Sequence, residues 1–157
     1  GGPGPARTTD LSELLERQLE AWRGRFRAAG RRLQSEIERD LAGHLNPEAM
    51  RQALDVVLDN ALRHGARTTT VRADEVDGMV RVSIGDEGAG IPADVADRIF
   101  DRRVSLRRGT GLGLAVAREL LTPAGVELRL DCLSPPVFEF VIPHAAAPGE
   151  PSRPARA

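Results

Sequence analysis

The stretch from Pro47 to Gly65 constrains this chain more than any other. Pro47 stands where a helix tolerates proline, in its first turn, and Gly65 stops the pattern. Between them Met50, Leu54, Val57, Leu58 and Ala61 fall on one stripe. A helix with a single apolar face must bury it, so the rest of the chain has to supply a second layer. The same spacing recurs at Leu11, Leu14, Leu15, Leu19 and Trp22, where Asp10 can cap the helix start and the pattern ends before Gly30. Leu112 to Leu121 reads as a third helix.

The second layer is legible as strands. Thr70 to Asp74 and Met79 to Ile84 alternate like paired strands, with Asp77-Gly78 as the turn between them. Val126 to Leu133 and Val137 to Ile142 form a second pair, joined through Ser134-Pro135-Pro136. Arg32 to Leu41 alternates weakly and is read as a further strand. Strands that come late and side by side, with helices interleaved, do not make a βαβ array. They predict an α+β two-layer sandwich: a mixed, mainly antiparallel sheet of about five strands covered on one face by three helices.

Composition bounds what such a domain can do. At 157 residues the chain is long enough for one domain and too short for two. Aromatic residues make up only 3%, so the core must come from Leu, Val, Ile and Ala. A net charge of −1 gives no electrostatic case for nucleic acid or for direct membrane contact. Cys132 is the sole cysteine, which excludes an internal disulfide and fits a reducing compartment. No apolar run reaches the roughly 18 residues of a membrane span, so a soluble, monomeric fragment is expected. Residues 1–8 and 144–157, rich in Gly, Pro, Ala and Arg, read as a linker and a tail around a domain at 9–143.

Three clusters inside that domain carry chemistry. The first is Leu58-Asp59-Asn60-Ala61-Leu62-Arg63-His64, where Val56, Asn60 and Arg63 lie close together beside the apolar stripe. An amide at the edge of a core is a poor helix former and costly to bury unpaired. The second is Asp86-Glu87-Gly88-Ala89-Gly90-Ile91-Pro92, directly after a strand. Its glycines let the backbone approach a flat ligand, and a carboxylate there can accept a hydrogen bond from an exocyclic amine. The third, Gly109-Thr110-Gly111-Leu112-Gly113-Leu114, opens a helix, where free N–H groups suit phosphate oxygens. It lacks the Gly-Lys-Ser/Thr of a P-loop.

In that order the clusters resemble the N, G1 and G2 boxes of the Bergerat-fold (GHKL) ATPases. Ile99-Phe100-Asp101-Arg102 resembles the F box that bacterial two-component sensor histidine kinases carry between G1 and G2. The match runs from about Ala42 to Pro143, and the helix near Leu11 to Ala29 sits where those kinases place a helix joining this domain to its dimerisation stalk. The resemblance implies that ATP and Mg2+ are the cofactors. It implies that Asp86 binds the adenine amine while Gly88, Gly90 and Ile91 shape the base pocket. Asn60 is the implied Mg2+ ligand, Arg63 replaces a phosphate-binding Lys, and His64 lies near the nucleotide. Gly109, Thr110, Gly111, Leu112 and Gly113 would cradle phosphates. Pro92 to Arg108 would form an ATP lid, with Arg107 and Arg108 as candidates for the γ-phosphate.

The main departure is Val56, where the family's helix usually carries Asn or Glu. Valine cannot take a proton or hold a metal, which disfavours water attack and so favours a kinase over an ATPase. It also leaves Mg2+ coordination short of one ligand, with Asp55 and Asp59 as candidate substitutes. None of the three histidines fits a phosphoacceptor: His44 lacks an acidic neighbour after it, His64 lies on the Asn helix and His144 lies in the tail. The implied partners are therefore a histidine-bearing dimerisation domain of the same kinase and a response regulator downstream. The implied setting is the cytoplasmic part of a membrane-bound bacterial sensor kinase. A serine kinase or ATPase of the same fold, or a catalytically weak nucleotide-binding module, are the competing readings.

Overall fold

In the computed structural model, which describes residues 5–89, 94, 113–133 and 135–145, the chain enters through strand β1 (Arg7–Asp10). Helix α1 (Leu11–Ala28) follows at once, started by the Asp10 side chain, which accepts from the Glu13 N–H at 3.0 Å. Strands β2 (Arg32–Ile37) and β3 (Ala42–Leu45) lead to helix α2 (Pro47–His64), where Asn46 caps the Ala49 N–H at 2.9 Å. Then come β4 (Thr68–Val76), β5 (Met79–Gly85), helix α3 (Gly113–Leu121), a 3-10 turn at Thr122–Ala124, β6 (Glu127–Leu133) and β7 (Pro136–Pro143).

Five strands form one sheet in the order β2-β4-β5-β7-β6. Only the β2–β4 pair is parallel, as the crossover through α2 between them requires. The Asp77-Gly78 turn sits at φ 52° and 76°, the two-residue connection with positive φ that matches the twist of a hairpin. The three α-helices among the described residues lie on one face, so the expected two-layer arrangement is the observed one.

Alternation decides which side chains meet the helices. Thr69, Val71 and Ala73 of β4, Val80, Val82 and Ile84 of β5, and Phe138, Phe140 and Ile142 of β7 point into the core. The opposite face holds cross-strand ion pairs, Arg72 with Glu36 at 2.7 Å, Arg81 with Asp74 at 3.2 Å, and Arg129 with Glu139. No helix among the described residues is long and apolar enough to cross a membrane.

Two features depart from the expectations above. Leu11, Leu14, Leu15, Leu19, Trp22 and Phe26 are all buried, so α1 is a wall of the core and not merely a joining helix. A second sheet pairs β1 with β3 antiparallel, placing Arg7 and Thr8 in a strand inside the segment read as a linker. Its register brings Thr9 opposite Gly43, and Gly43 in turn bridges to His144. Ala145 adds an N–H bond to the Ala42 carbonyl at 3.0 Å, so the first two residues of the expected tail are held against the same ribbon.

Candidate functional site

Helix α2 is the spine on which the described parts of the three sequence clusters meet. At its C-terminal end the chain leaves through Gly65, whose φ of −87° is open to any residue. The glycine is demanded by space: a Cβ there would lie 2.6 Å from the Ala61 carbonyl oxygen and 2.7 Å from the Asp86 Cγ. Asp86 stands just beyond β5 and presses its carboxylate against that bare backbone. Gly88 donates its N–H to Asp86 Oδ1 at 2.5 Å, closing a short turn, and a Cβ on Gly88 would come within 3.2 Å of the Gly65 Cα. Asp86 Oδ2 carries no hydrogen bond among the described residues. Burial raises the Asp86 pKa, partly offset by the Gly88 N–H and the Arg31 charge. A half-buried carboxylate whose Oδ2 is unbonded among the described residues is suited to accept from a ligand N–H.

The loop behind Asp86 is held from two directions. Glu87 accepts the Thr68 N–H at 2.9 Å and donates its own N–H to the Ala66 carbonyl at 3.3 Å. Arg31 reaches the Ala61, Leu62 and Arg67 carbonyls at 3.2, 3.0 and 3.0 Å. A cleft of about 370 Å³ also opens behind Asp86 on the helix-free face, lined by Gln34, Thr70, Arg72 and Val137. Asp86 and Glu87 line it as well, whereas Asn60 and Gly113 do not, so the cleft shares with the helical side only the loop after β5.

Further back along α2 the third cluster makes contact. A Cβ on Gly113, the first residue of α3, would lie 3.1 Å from Val56 Cγ1. The start of α3 is therefore seated against Val56, one turn from the half-buried Asn60. From Val56 to Gly65 is about 13 Å along the helix axis. Val56 fills space against a glycine and contributes no polar atom there.

Neither acidic substitute for the missing ligand is free. Asp55 Oδ1 accepts from Trp22 Nε1 at 2.8 Å and from Gln18 Nε2, binding α2 to α1. Asp59 Oδ2 is 2.9 Å from Arg63 Nε, and Arg25, stacked 3.9 Å from the Trp22 ring centroid, approaches Asp59 Oδ1 at 3.8 Å. Both carboxylates turn toward α1. Arg63 is likewise drawn toward Asp59, and His64 has an exposed side chain while its carbonyl faces Gly88. Among the described residues no group of three or more His, Cys, Asp or Glu side chains could hold a metal ion.

Of the residues singled out in the sequence, Asn60, Arg63, His64, Asp86, Gly88 and Gly113 are placed along this one helix. Gly90, Ile91, Arg107, Arg108, Gly109, Thr110, Gly111 and Leu112, with Ile99 to Arg102 and the lid at 92–108 apart from Asp94, lie outside the described residues. Sequence reasoning missed Gly65 as more than a helix stop, and missed Arg31 and the fully buried Thr69. The adjacency of Gly65 to a lone Asn-bearing helix was a usable signal. Arg31 offered none, since beside Arg32 it reads as a solvated charge.

Residues 45–146 match the family of histidine kinase-, DNA gyrase B- and HSP90-like ATPases. The chain is 33% identical over 137 residues to the sensor histidine kinase component HK1 of Mycobacterium tuberculosis H37Rv, covering 76% of this chain and 82% of that protein. It is 34% identical over 107 residues to the sensor histidine kinase WalK of Bacillus subtilis 168, covering 61% of this chain but only 18% of the relative. Full-length ShkA, solved in complex with AMPPNP, superposes with a TM-score of 0.79 at 26% identity, over 90% of this chain and 32% of that one. The chain belongs to the histidine kinase-, DNA gyrase B- and HSP90-like ATPase family, as the catalytic ATP-binding domain of a two-component sensor histidine kinase.

Proposed function

We propose that the domain binds ATP with Mg2+ along α2 and donates the γ-phosphate to a histidine on a separate dimerisation domain of the same kinase. One observation carries this reading: Asp86, Asn60 and the start of α3 are gathered on one helix, with a half-buried carboxylate at one end and a glycine-seated helix start at the other. That order suits a base at Asp86 and a phosphate chain running back toward Gly113. ShkA, which shares the fold, was solved with AMPPNP.

The residues present fit a nucleotide and fit Mg2+ less fully. Asp86 Oδ2 would accept from the adenine amine, and the bare backbone at Gly65 and Gly88 leaves room for a flat ring. Asn60 would offer one amide oxygen to Mg2+, which keeps waters and phosphate oxygens as its other ligands. Bound there, the ion neutralises charge on the phosphates. Arg63 would exchange Asp59 for a phosphate oxygen, keeping its charge satisfied in either place. With valine at position 56 no side chain is placed to activate water, and the attacking group comes from the partner histidine, so positioning is what this domain supplies. The response regulator is the further acceptor in this proposal, and a membrane-bound parent protein is its setting.

The test mixes the chain with ATP, Mg2+ and the histidine-bearing domain of the same protein. Acid-labile phosphate on that domain is expected, with no labelling of the chain alone. Acid-stable phosphate on a serine, or hydrolysis without transfer, would replace this reading with another activity of the same fold. Asp86→Asn should weaken ATP by about tenfold or more and leave GTP unchanged, since one charged hydrogen bond is worth about 1.5–3 kcal/mol.

A further inference from the structure

Arg31 belongs to neither the helices nor the glycine-rich clusters, yet it joins three elements beside the base-reading carboxylate. It follows the end of α1, with its own N–H on the Phe26 carbonyl at 2.8 Å and its guanidinium 5.5 Å from the Phe26 ring centroid. One nitrogen, Nη1, spans the Ala61 and Leu62 carbonyls at 3.2 and 3.0 Å; Ala61 also accepts the Gly65 N–H at 2.8 Å, while Leu62 is one of the C-terminal acceptors that α2 cannot satisfy internally. Nη2 donates to Thr69 Oγ1 at 3.1 Å, on a side chain with no exposed surface. Nε donates to the Arg67 carbonyl at 3.0 Å. Arg67 itself sits at φ 55°, a conformation that costs a bulky residue energy and persists only where the surroundings fix it.

The Ala61 carbonyl that Arg31 holds is the same one that closes on Gly65, and Gly65 is the surface against which Asp86 stands. We infer that Arg31 is a positioning residue for base recognition: its fork locks the end of α2 and the 65–68 loop to β4, fixing the floor that aims the Asp86 carboxylate. The inference rests on the proposal that Asp86 reads the adenine amine. A guanidinium suits the task because its planar donors reach four acceptors at once, which an ammonium cannot. Its charge also lowers the Asp86 pKa against the burial that raises it, favouring the ionised acceptor.

The role predicts a split between the base and the phosphates, which simple loss of structure would not give. Arg31→Met keeps an apolar stem over Phe26 and removes every donor. Titration calorimetry on the whole chain should show ATP weakened about tenfold, with Mg2+ tripolyphosphate binding unchanged. Arg31→Lys keeps the charge without the fork and should fall between, at about a threefold loss for ATP. If the Met variant is not folded, the Lys variant carries the same comparison. Wild-type ATP affinity in the folded variants, beside a weakened Asp86→Asn, would overturn the role of Arg31 alone. Equal losses for ATP and tripolyphosphate would make Arg31 a structural residue only and overturn it too. Full ATP affinity in Asp86→Asn would remove the base reading, and this inference with it.

Discussion

Asp86 is held where the folded chain has to bear a cost. Its carboxyl pKa is raised above the ordinary 3.8, chiefly by burial, so the native state binds that proton more tightly than the unfolded chain does. Stability therefore falls as pH climbs from the ordinary value through the raised one, and the loss persists at neutral pH. Asp86→Asn keeps an oxygen for the Gly88 N–H without the charge. In the absence of nucleotide its Tm at pH 7 should exceed that of the parent, and the gap should narrow as pH falls toward 3.8. A lower Tm at pH 7 would contradict the burial argument. Val56 states the complementary case, since it supplies packing against Gly113 where, in the proposed binding mode, a polar atom would face phosphate. Val56→Asn should cost about 1 kcal/mol of stability while raising transfer to the partner histidine on the order of tenfold, measured in a single turnover with Mg2+ saturating. Unchanged transfer would place Val56 away from the metal.

Among the elements, α1 and α2 are joined by a polar seam over an apolar one. Trp22 donates to Asp55, lies edge-on to Phe26 at 6.4 Å between centroids, and carries Arg25 on its face. Trp22→Phe keeps most of the ring contact but leaves Asp55 with Gln18 as its one side-chain donor among the described residues. A loss of about 2 kcal/mol is expected from the urea midpoint at constant m-value, with ATP affinity unchanged because Asp55 faces away from Asn60. The apolar periods of both helices were legible in the sequence, as were the Asp77-Gly78 hairpin and the late strand pair. What the stripe of α1 packs against was not, because periodicity gives a face and not its partner. The β1–β3 ribbon was hidden for a related reason. Its first strand, Arg7-Thr8-Thr9-Asp10, buries only Thr9 and gains order from residues more than thirty positions away. Asp86, Asn60 and Gly113 were readable as residue types with unusual neighbours, whereas Arg31 acts through backbone carbonyls that only the tertiary arrangement brings to it.

At the scale of the molecule, one face of the sheet is covered by helices and the other is laced with ion pairs, and the nucleotide site proposed above lies on the helical side. Nucleotide that binds the native state and not the unfolded chain should add about 2.7 kcal/mol at a hundred times its Kd. For a domain of this size that is a rise of about 5–10 °C in Tm with ATP and Mg2+, read by thermal denaturation, and none with GTP at the same concentration. Equal shifts for both would argue against a carboxylate that selects the base. The ribbon formed by β1 and β3 bears on how such a domain can be driven. It runs into Asn46, the cap of α2, and Asn46 Nδ2 also reaches the Pro5 carbonyl at 3.5 Å. Tension or twist arriving along the backbone at Arg7 thus enters at the near end of a stiff rod about 27 Å long, whose far end carries the grip on the purine proposed for Asp86.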